Sequence, residues 1–257
     1  MDVLLLRFDA PLLSFGAPIV DNLGVIQPFP ALSMIVGLFG NALGWEHRDH
    51  VALESLQARV RYAARSDRRG ELVSDYQTVD LEQPFLIDAD SAWTTRGRVE
   101  ERGKGAATRG THIRHRDYWA DGVHTVAVSL VPADDAPTVG ELRAALAAPA
   151  RPLFVGRKCC LPSRPILVDV VDAPSPLAAL CRAPRDPRGT PRGSEGVRLP
   201  AWWFAEEQGD WVPRESRVVV VTDERDWRNQ VHGGERWMRH GLIDPPSAVQ
   251  EGSVDVG

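Results

Sequence analysis

Leu4-Leu5-Leu6-Arg7-Phe8-Asp9-Ala10-Pro11-Leu12-Leu13-Ser14-Phe15-Gly16, followed by Phe29-Pro30 and an apolar run punctuated by Gly37, Gly40 and Gly44, decides how this chain begins to fold. The continuous apolar stretch predicts a buried strand over 3–8. Pro11 predicts its break, and Ser14-Phe15-Gly16 a tight turn. A helix is expected over 30–44, opened by Pro30 at its first turn. Gly37 and Gly40 each cost such a helix about 1 kcal/mol relative to alanine. Close packing or close approach of a ligand must compensate, because glycine lacks the Cβ that would obstruct either.

Working outward, 50–56 reads as a short helix and Val60–Arg65 as a second strand. From Ser66 to about Gly110 glycines and arginines alternate without regular periodicity. That length is too great for a plain connection in a compact domain, so an inserted hairpin or arm is expected. Val123 to Val131 is a β-branched strand. Thr138 and Glu141 have capping-box spacing, which starts a helix running through Ala147. Pro152 to Val155 reads as a strand, turned by Gly156-Arg157-Lys158. The order β-α-β-(insertion)-β-α-β is that of the split βαβ, ferredoxin-like arrangement, an α+β fold. The expected organisation is a 1–165 unit carrying an arm at about 66–110, and a 166–257 extension. The extension holds strands at 166–171 and 218–221, a loose loop over 182–196 and a partly helical stretch from 223 onward.

Composition is that of an ordinary globular chain, 43% hydrophobic and 25% charged over 257 residues. No apolar run nears the ~20 residues of a membrane span. Asp2, Arg7 and Asp9 spoil any secretory signal. Cys159, Cys160 and Cys181 form no CxxC motif, which fits a reduced, cytoplasmic protein with no membrane association. Net charge is −5, yet its distribution is uneven. Of 30 basic residues only Lys104 and Lys158 are lysine, leaving 28 arginines. Arginine-rich codon usage explains much of that bias. Even so, Arg96, Arg98, Arg102, Lys104, Arg109, Arg114 and Arg116 form a local basic stripe, the footprint a phosphate backbone requires.

Two kinds of chemistry compete for this stripe. His112, His115 and His124 suggest a metal site or general base, but no carboxylate or cysteine set completes a zinc site. A metal-independent ribonuclease would need a base and a cation at the phosphate, roles open to His112 or His115, Tyr118 and Lys104. The alternative is RNA binding without catalysis. Single-stranded RNA is held by arginines on phosphates, by stacking on bases and by backbone amides of glycine turns. Thr108 to Trp119 supplies all of these, with Tyr76 and the Gly156-Arg157-Lys158 turn adding to them. P-loop and nucleophile-elbow motifs are missing. No cofactor and no metal are expected.

Five segments in order carry a resemblance. They are Leu6 to Gly16 with its Pro-x-x-Ser-aromatic-Gly turn; Phe29 to Gly44; Asp75-Tyr76-Gln77-Thr78-Val79; Arg116-Asp117-Tyr118-Trp119-Ala120-Asp121; and Gly156-Arg157-Lys158-Cys159-Cys160. In these the chain resembles the CasD-type subunits of type I-E CRISPR Cascade complexes, which belong to the RAMP superfamily of RRM-like, ferredoxin-like RNA binders. The resemblance implies a non-catalytic crRNA-binding subunit capping the 5′ handle. Its implied partners are the crRNA, the backbone subunit CasC and the large subunit CasA, with target DNA reached only indirectly. The implied RNA-binding residues are Ser14, Phe15, Gly16, Tyr76, Arg109, Thr111, His112, Arg114, Arg116, Arg157 and Lys158. The family's basic helix start is replaced here by Pro30-Ala31-Leu32-Ser33-Met34. Positive contacts are therefore expected from the arm and from Arg157-Lys158.

Overall fold

A computed structural model describes residues 1–19, 22–80, 91–93, 99–101, 111–189 and 196–246. Strand β1 (Asp2–Leu13) is followed by the short β2 (Leu23–Gly24), helix α1 (Leu32–Leu43), helix α2 (His50–Arg59) and β3 (Val60–Arg68). Then come β4 (Glu71–Asp80), the small β5 (Ser91–Trp93) and β6 (Val99–Glu101), and the long β7 (Thr111–Leu130). Helix α3 (Val139–Ala147), β8 (Leu167–Asp172) and helix α4 (Pro176–Arg182) follow. The chain continues through β9 (Leu199–Phe204), β10 (Ser216–Val221), β11 (Arg225–Asp226), β12 (Val231–His232) and β13 (Arg236–Ile243). The result is a mixed α/β protein with few helices on a large sheet.

The main path of that sheet runs β10-β13-β9-β3-β7-β1-β8, and each of these neighbours is antiparallel. β1 is apolar at nearly every position because both its faces are covered. Leu4, Leu6, Phe8 and Ala10 join the core under α1, α2 and α3, while Val3 and Leu5 meet Leu177 and Leu180 of α4. Pro11 does not end the strand, contrary to the sequence expectation. β8 pairs with β1 only as far as Leu6, so Pro11 lies where β1 has a neighbour on one side, a position that tolerates a missing N–H.

Helix α1 ends as expected, with Gly44 in the left-handed conformation at φ 82°. Gly40 is explained by packing: a Cβ there would lie 2.7 Å from Leu53 Cδ2 of α2. The capping box of α3 is present, Glu141 N donating to Thr138 Oγ1 at 3.2 Å and Thr138 N to Glu141 Oε2 at 2.7 Å.

Two expectations are corrected. Residues 152–155 form no strand; Asn41 Nδ2 donates to Pro152 O at 2.6 Å and Ser14 N to Val155 O at 3.1 Å, before the 155–160 turn closes through Val155 N to Cys160 O at 2.9 Å. The next strand after α3 is β8 instead. The stretch from 223 to 246 is not helical. It forms β11, β12 and β13, with β13 lying between β9 and β10.

Much of the arginine surplus is structural. Arg59 reaches the carbonyls of Pro132, Asp135 and Ala136. Arg65, fully buried, bonds the Leu180, Ala183 and Pro184 carbonyls and pairs with Asp67 at 2.8 Å. A guanidinium carries five donors in a fixed fork, so one side chain can tie several loop carbonyls at once.

His124 is not available as a ligand or base. It lies in the core, edge-on to Phe15 at 4.7 Å, and burial pushes its pKa down from 6.5 to about 3. An unfolded chain takes up that proton below pH 6.5 while the folded protein refuses it until about 3. Stability should therefore fall across that window, by about 1.4 kcal/mol per pH unit. Comparing denaturation at pH 7 and pH 5, wild type should lose about 2 kcal/mol more than His124→Leu. Equal losses would refute the assignment.

Candidate nucleic-acid interface

The inserted segment begins as a two-stranded arm. β4 pairs antiparallel with the first half of β7, from Glu71↔Ala120 to Asp80↔Thr111, with Tyr76 opposite His115 and Gln77 opposite Arg114. The rest of the expected 66–110 arm, including Arg96, Arg98, Arg102, Lys104 and Arg109, lies outside the described residues apart from 91–93 and 99–101. Thr111 and His112 are placed by their backbone at the far end of β7.

Strand alternation sorts the arm's side chains onto two faces. Tyr76 and His115 share one, edge-on at 5.2 Å, and Tyr76 is 57% exposed. Arg114 and Arg116 share the other with Tyr118. Beside them β2 adds to β7 in parallel, Leu23 opposite His115 and Gly24 opposite Arg116, and His115 N donates to Asn22 O at 3.0 Å. Ile19, Asn22, Gly24, Arg114, His115, Arg116 and Arg157 line a cleft of about 200 Å³. Three of the expected arginines thus converge from two sequence segments, with a third, carrying Ile19, Asn22 and Gly24, closing the cleft.

Arg157 is partly spent on structure. Its Nη1 donates to Asp117 O at 2.8 Å and its Nη2 to Gly24 O at 2.9 Å, and its guanidinium stacks 4.8 Å from the Tyr118 ring centre. Burial raises the Tyr118 pKa, so this phenol stays neutral and serves as a stacking platform. Lys158, next along the turn, is exposed.

The Ser14-Phe15-Gly16 turn contributes differently from Tyr76 and the arginines. Ser14 and Phe15 are 4% and 0% exposed, and Phe15 packs on Phe8 and His124. What this turn can present to a ligand is backbone outline, not side chains. It is held from behind by Gly156, whose φ is 95° and whose Cβ, if present, would lie 1.8 Å from the Ser14 carbonyl oxygen.

Sequence reasoning missed Ile19 and Asn22, which reach the cleft only because β2 adds to the arm. Asp121 closes the Arg116–Asp121 segment but has no role in the sequence reading, although its Asp-Gly step inside a strand run is a turn signal. Among the described residues no group of three or more His, Cys, Asp or Glu could hold a metal ion, and no helix is long and apolar enough to cross a membrane.

Solved CRISPR proteins share this fold. A chain of a "CRISPR RNA-guided surveillance complex" superposes with a TM-score of 0.67 at 23% identity, covering 95% of this chain and 91% of that one. A second structure, "Crystal structure of Cas protein", gives 0.59 at 22% identity over 96% and 98%. The family described as "CRISPR-associated protein (Cas_Cas5)" matches residues 3–239, and the chain belongs to it. "CRISPR system Cascade subunit CasD" of Escherichia coli (strain K12) is 29% identical over 177 residues, 69% of this chain and 75% of that protein.

Proposed function

We propose that this chain is a non-catalytic crRNA-binding subunit of a Cascade-type CRISPR surveillance complex, capping the 5′ handle of the crRNA in antiviral defence. The observation that carries this is the convergence of Arg114, Arg116 and Arg157 on one cleft that His115 also lines, with the exposed Tyr76 edge-on to His115. Guanidinium groups for phosphates next to aromatic rings for bases are what single-stranded RNA requires. The family and the named E. coli Cascade subunit support the same reading. The partners are the crRNA, a CasC-type backbone subunit and a CasA-type large subunit, with target DNA met through the guide, in the cytoplasm. Arg109, Thr111, His112 and Lys158 extend the contact beyond the cleft, and Ser14-Phe15-Gly16 shape its wall.

The core is ferredoxin-like in this reading. Strands β1, β3, β7 and β8, taken as first to fourth, stand in the order four-one-three-two, with α1–α2 and α3 in the two crossovers. The RNA-binding unit then runs past the expected 165 boundary to include β8, and the remainder widens the other edge with β9, β13 and β10.

Fluorescence anisotropy with a repeat-derived RNA tests the proposal. Binding should weaken with salt, and the combined Arg114→Gln and Arg116→Gln change should reduce the slope of log affinity against log salt by about 1.4, or ~0.7 per lost phosphate contact. A salt-independent affinity would overturn the phosphate assignment. Defined cleavage of that RNA in EDTA, abolished by His112→Ala or His115→Ala, would replace the non-catalytic role with a metal-independent endoribonuclease.

A further inference from the structure

The arm joins the body of the sheet at a bend, which β1 spans on the other edge of β7 by pairing from Ala10↔Gly122 to Leu13↔Trp119. β4 continues β3 along β7 in one register, Arg68↔Val123 then Glu71↔Ala120, so Arg69–Gly70 lie opposite Asp121–Gly122. Both strands are distorted there. Gly70 has φ 78°, and a Cβ on it would lie 2.5 Å from the Ala120 carbonyl oxygen. Asp121 has φ 55°, a left-handed conformation that Asp and Asn tolerate better than other side-chain-bearing residues.

A ladder of alternating charges runs from this bend into the sheet. The Asp121 carboxylate is in direct contact with Arg68 on one side and takes Arg188 Nη2 at 2.9 Å on the other. Arg188 Nη1 reaches Asp9 Oδ1 at 2.8 Å, and Asp9 Oδ2 takes Arg164 Nε at 2.6 Å. Arg164 Nη2 reaches Asp186 Oδ1 at 2.8 Å, and Asp186 Oδ2 takes Arg7 Nε at 2.7 Å. The inner acids are buried, Asp9 at 1% and Asp186 at 5% exposure. The 3-10 turn that carries Arg188 (Pro187–Gly189) is itself jammed onto β3, since a Cβ on Gly189 would lie 2.6 Å from Asp67 Cβ. One end of the ladder is therefore fixed, and the other grips the bend.

We propose that Asp121 is a positioning residue. By bridging Arg68 of β3 and Arg188 of the docked turn, it locks the angle at which the arm leaves the sheet. That angle, together with the β2 pairing and the Arg157 bonds to Asp117 O and Gly24 O, sets where Arg114, Arg116 and Tyr76 stand against Asn22–Gly24 and Arg157. The inference rests on the RNA-binding reading above, and Asp121 itself touches no RNA in it.

Spin labels at Thr78→Cys on the arm and Val51→Cys on α2, in a Cys159→Ser, Cys181→Ser background, report the arm-to-body distance by pulsed EPR. Asp121→Asn keeps the left-handed tolerance and the shape but removes the charge. Its distance distribution should broaden about twofold. Affinity for a repeat-derived RNA should fall about tenfold with an unchanged salt slope, because no phosphate contact is lost. Arg114→Gln, in contrast, should lower the slope. An unchanged distance distribution would overturn the proposal. So would tighter RNA binding with a steeper slope, since Asp121 would then only withhold Arg68 and Arg188 from phosphates. If the parent protein binds no repeat RNA, the functional reading fails, and the distance distribution alone still decides whether Asp121 sets the bend.

Discussion

Replacing Asp223 by alanine is expected to destabilise the protein by about 4 kcal/mol, the range for stranding a buried charge. Asp223 is fully buried, and its Oδ2 accepts the backbone N–H of Leu32 at 2.8 Å while its own carbonyl accepts that of Ser33 at 3.1 Å. It thus caps α1, whose N-cap residue Ala31 has no side chain able to do so. The same carboxylate takes Arg236 Nε at 3.0 Å, and Arg236 in turn donates to the Tyr62 hydroxyl at 3.0 Å, which donates to Pro30 O at 2.6 Å. Alanine would leave Arg236 buried beside Tyr62 and Phe204 with no anion, and would open the Leu32 N–H, while Ser33 N–H keeps the backbone carbonyl of residue 223. Urea denaturation at pH 7 measures the loss. The double variant Asp223→Leu, Arg236→Met should recover part of it, because removing both charges removes the desolvation penalty. A loss below about 1 kcal/mol for Asp223→Ala would mean the cap and the pair contribute no more than an exposed ion pair.

Gly156→Ala is expected to cost about 3 kcal/mol, as a non-glycine residue forced into a left-handed position against fixed backbone. The obstacle is the Ser14 carbonyl, 1.8 Å from the added carbon, and it has no rotamer with which to retreat. The 156–158 turn must move away from β1. That breaks Ser14 N to Val155 O, draws Arg157 off the Tyr118 ring and carries Lys158 with it. RNA affinity should fall together with the melting temperature. An unchanged melting temperature would show that the turn has room to shift, and that the backbone contact between residues 14 and 156 is not what holds the wall of the cleft.

Local patterns made several elements legible. The unbroken apolar run of β1, the Thr138–Glu141 box, the glycine stop of α1 and the β-branched second half of β7 each act over a few residues. The Tyr76 and Arg114–Arg116 segments stood out as polar and aromatic groups in a chain otherwise sorted into core and turns. Residues 152–155 misled because Pro-Leu-Phe-Val has strand composition, yet only Val155, through its carbonyl, finds a backbone donor at the end of β1, the Ser14 N–H. The 223–246 stretch misled because its strands are completed by β9 and β10, which the local pattern does not contain.

By itself the sequence determined β1, α1, α2, β3 and the second half of β7, and the presence of an arginine-rich segment; β2 and the strand pairing of the arm were not legible in it. Tertiary structure decided which of those arginines are free to act. Arg65, Arg236 and Arg59 look like surface cations in the sequence and are buried ties in the fold; Arg114 looks the same and is exposed. The difference lies in partners far away along the chain: Leu180 for Arg65, Pro132 for Arg59, and Asp121 for Arg188. Helix and strand signals come from neighbours within a turn or a pleat, whereas the fate of a charge depends on which distant carboxylate or carbonyl the fold brings within 3 Å.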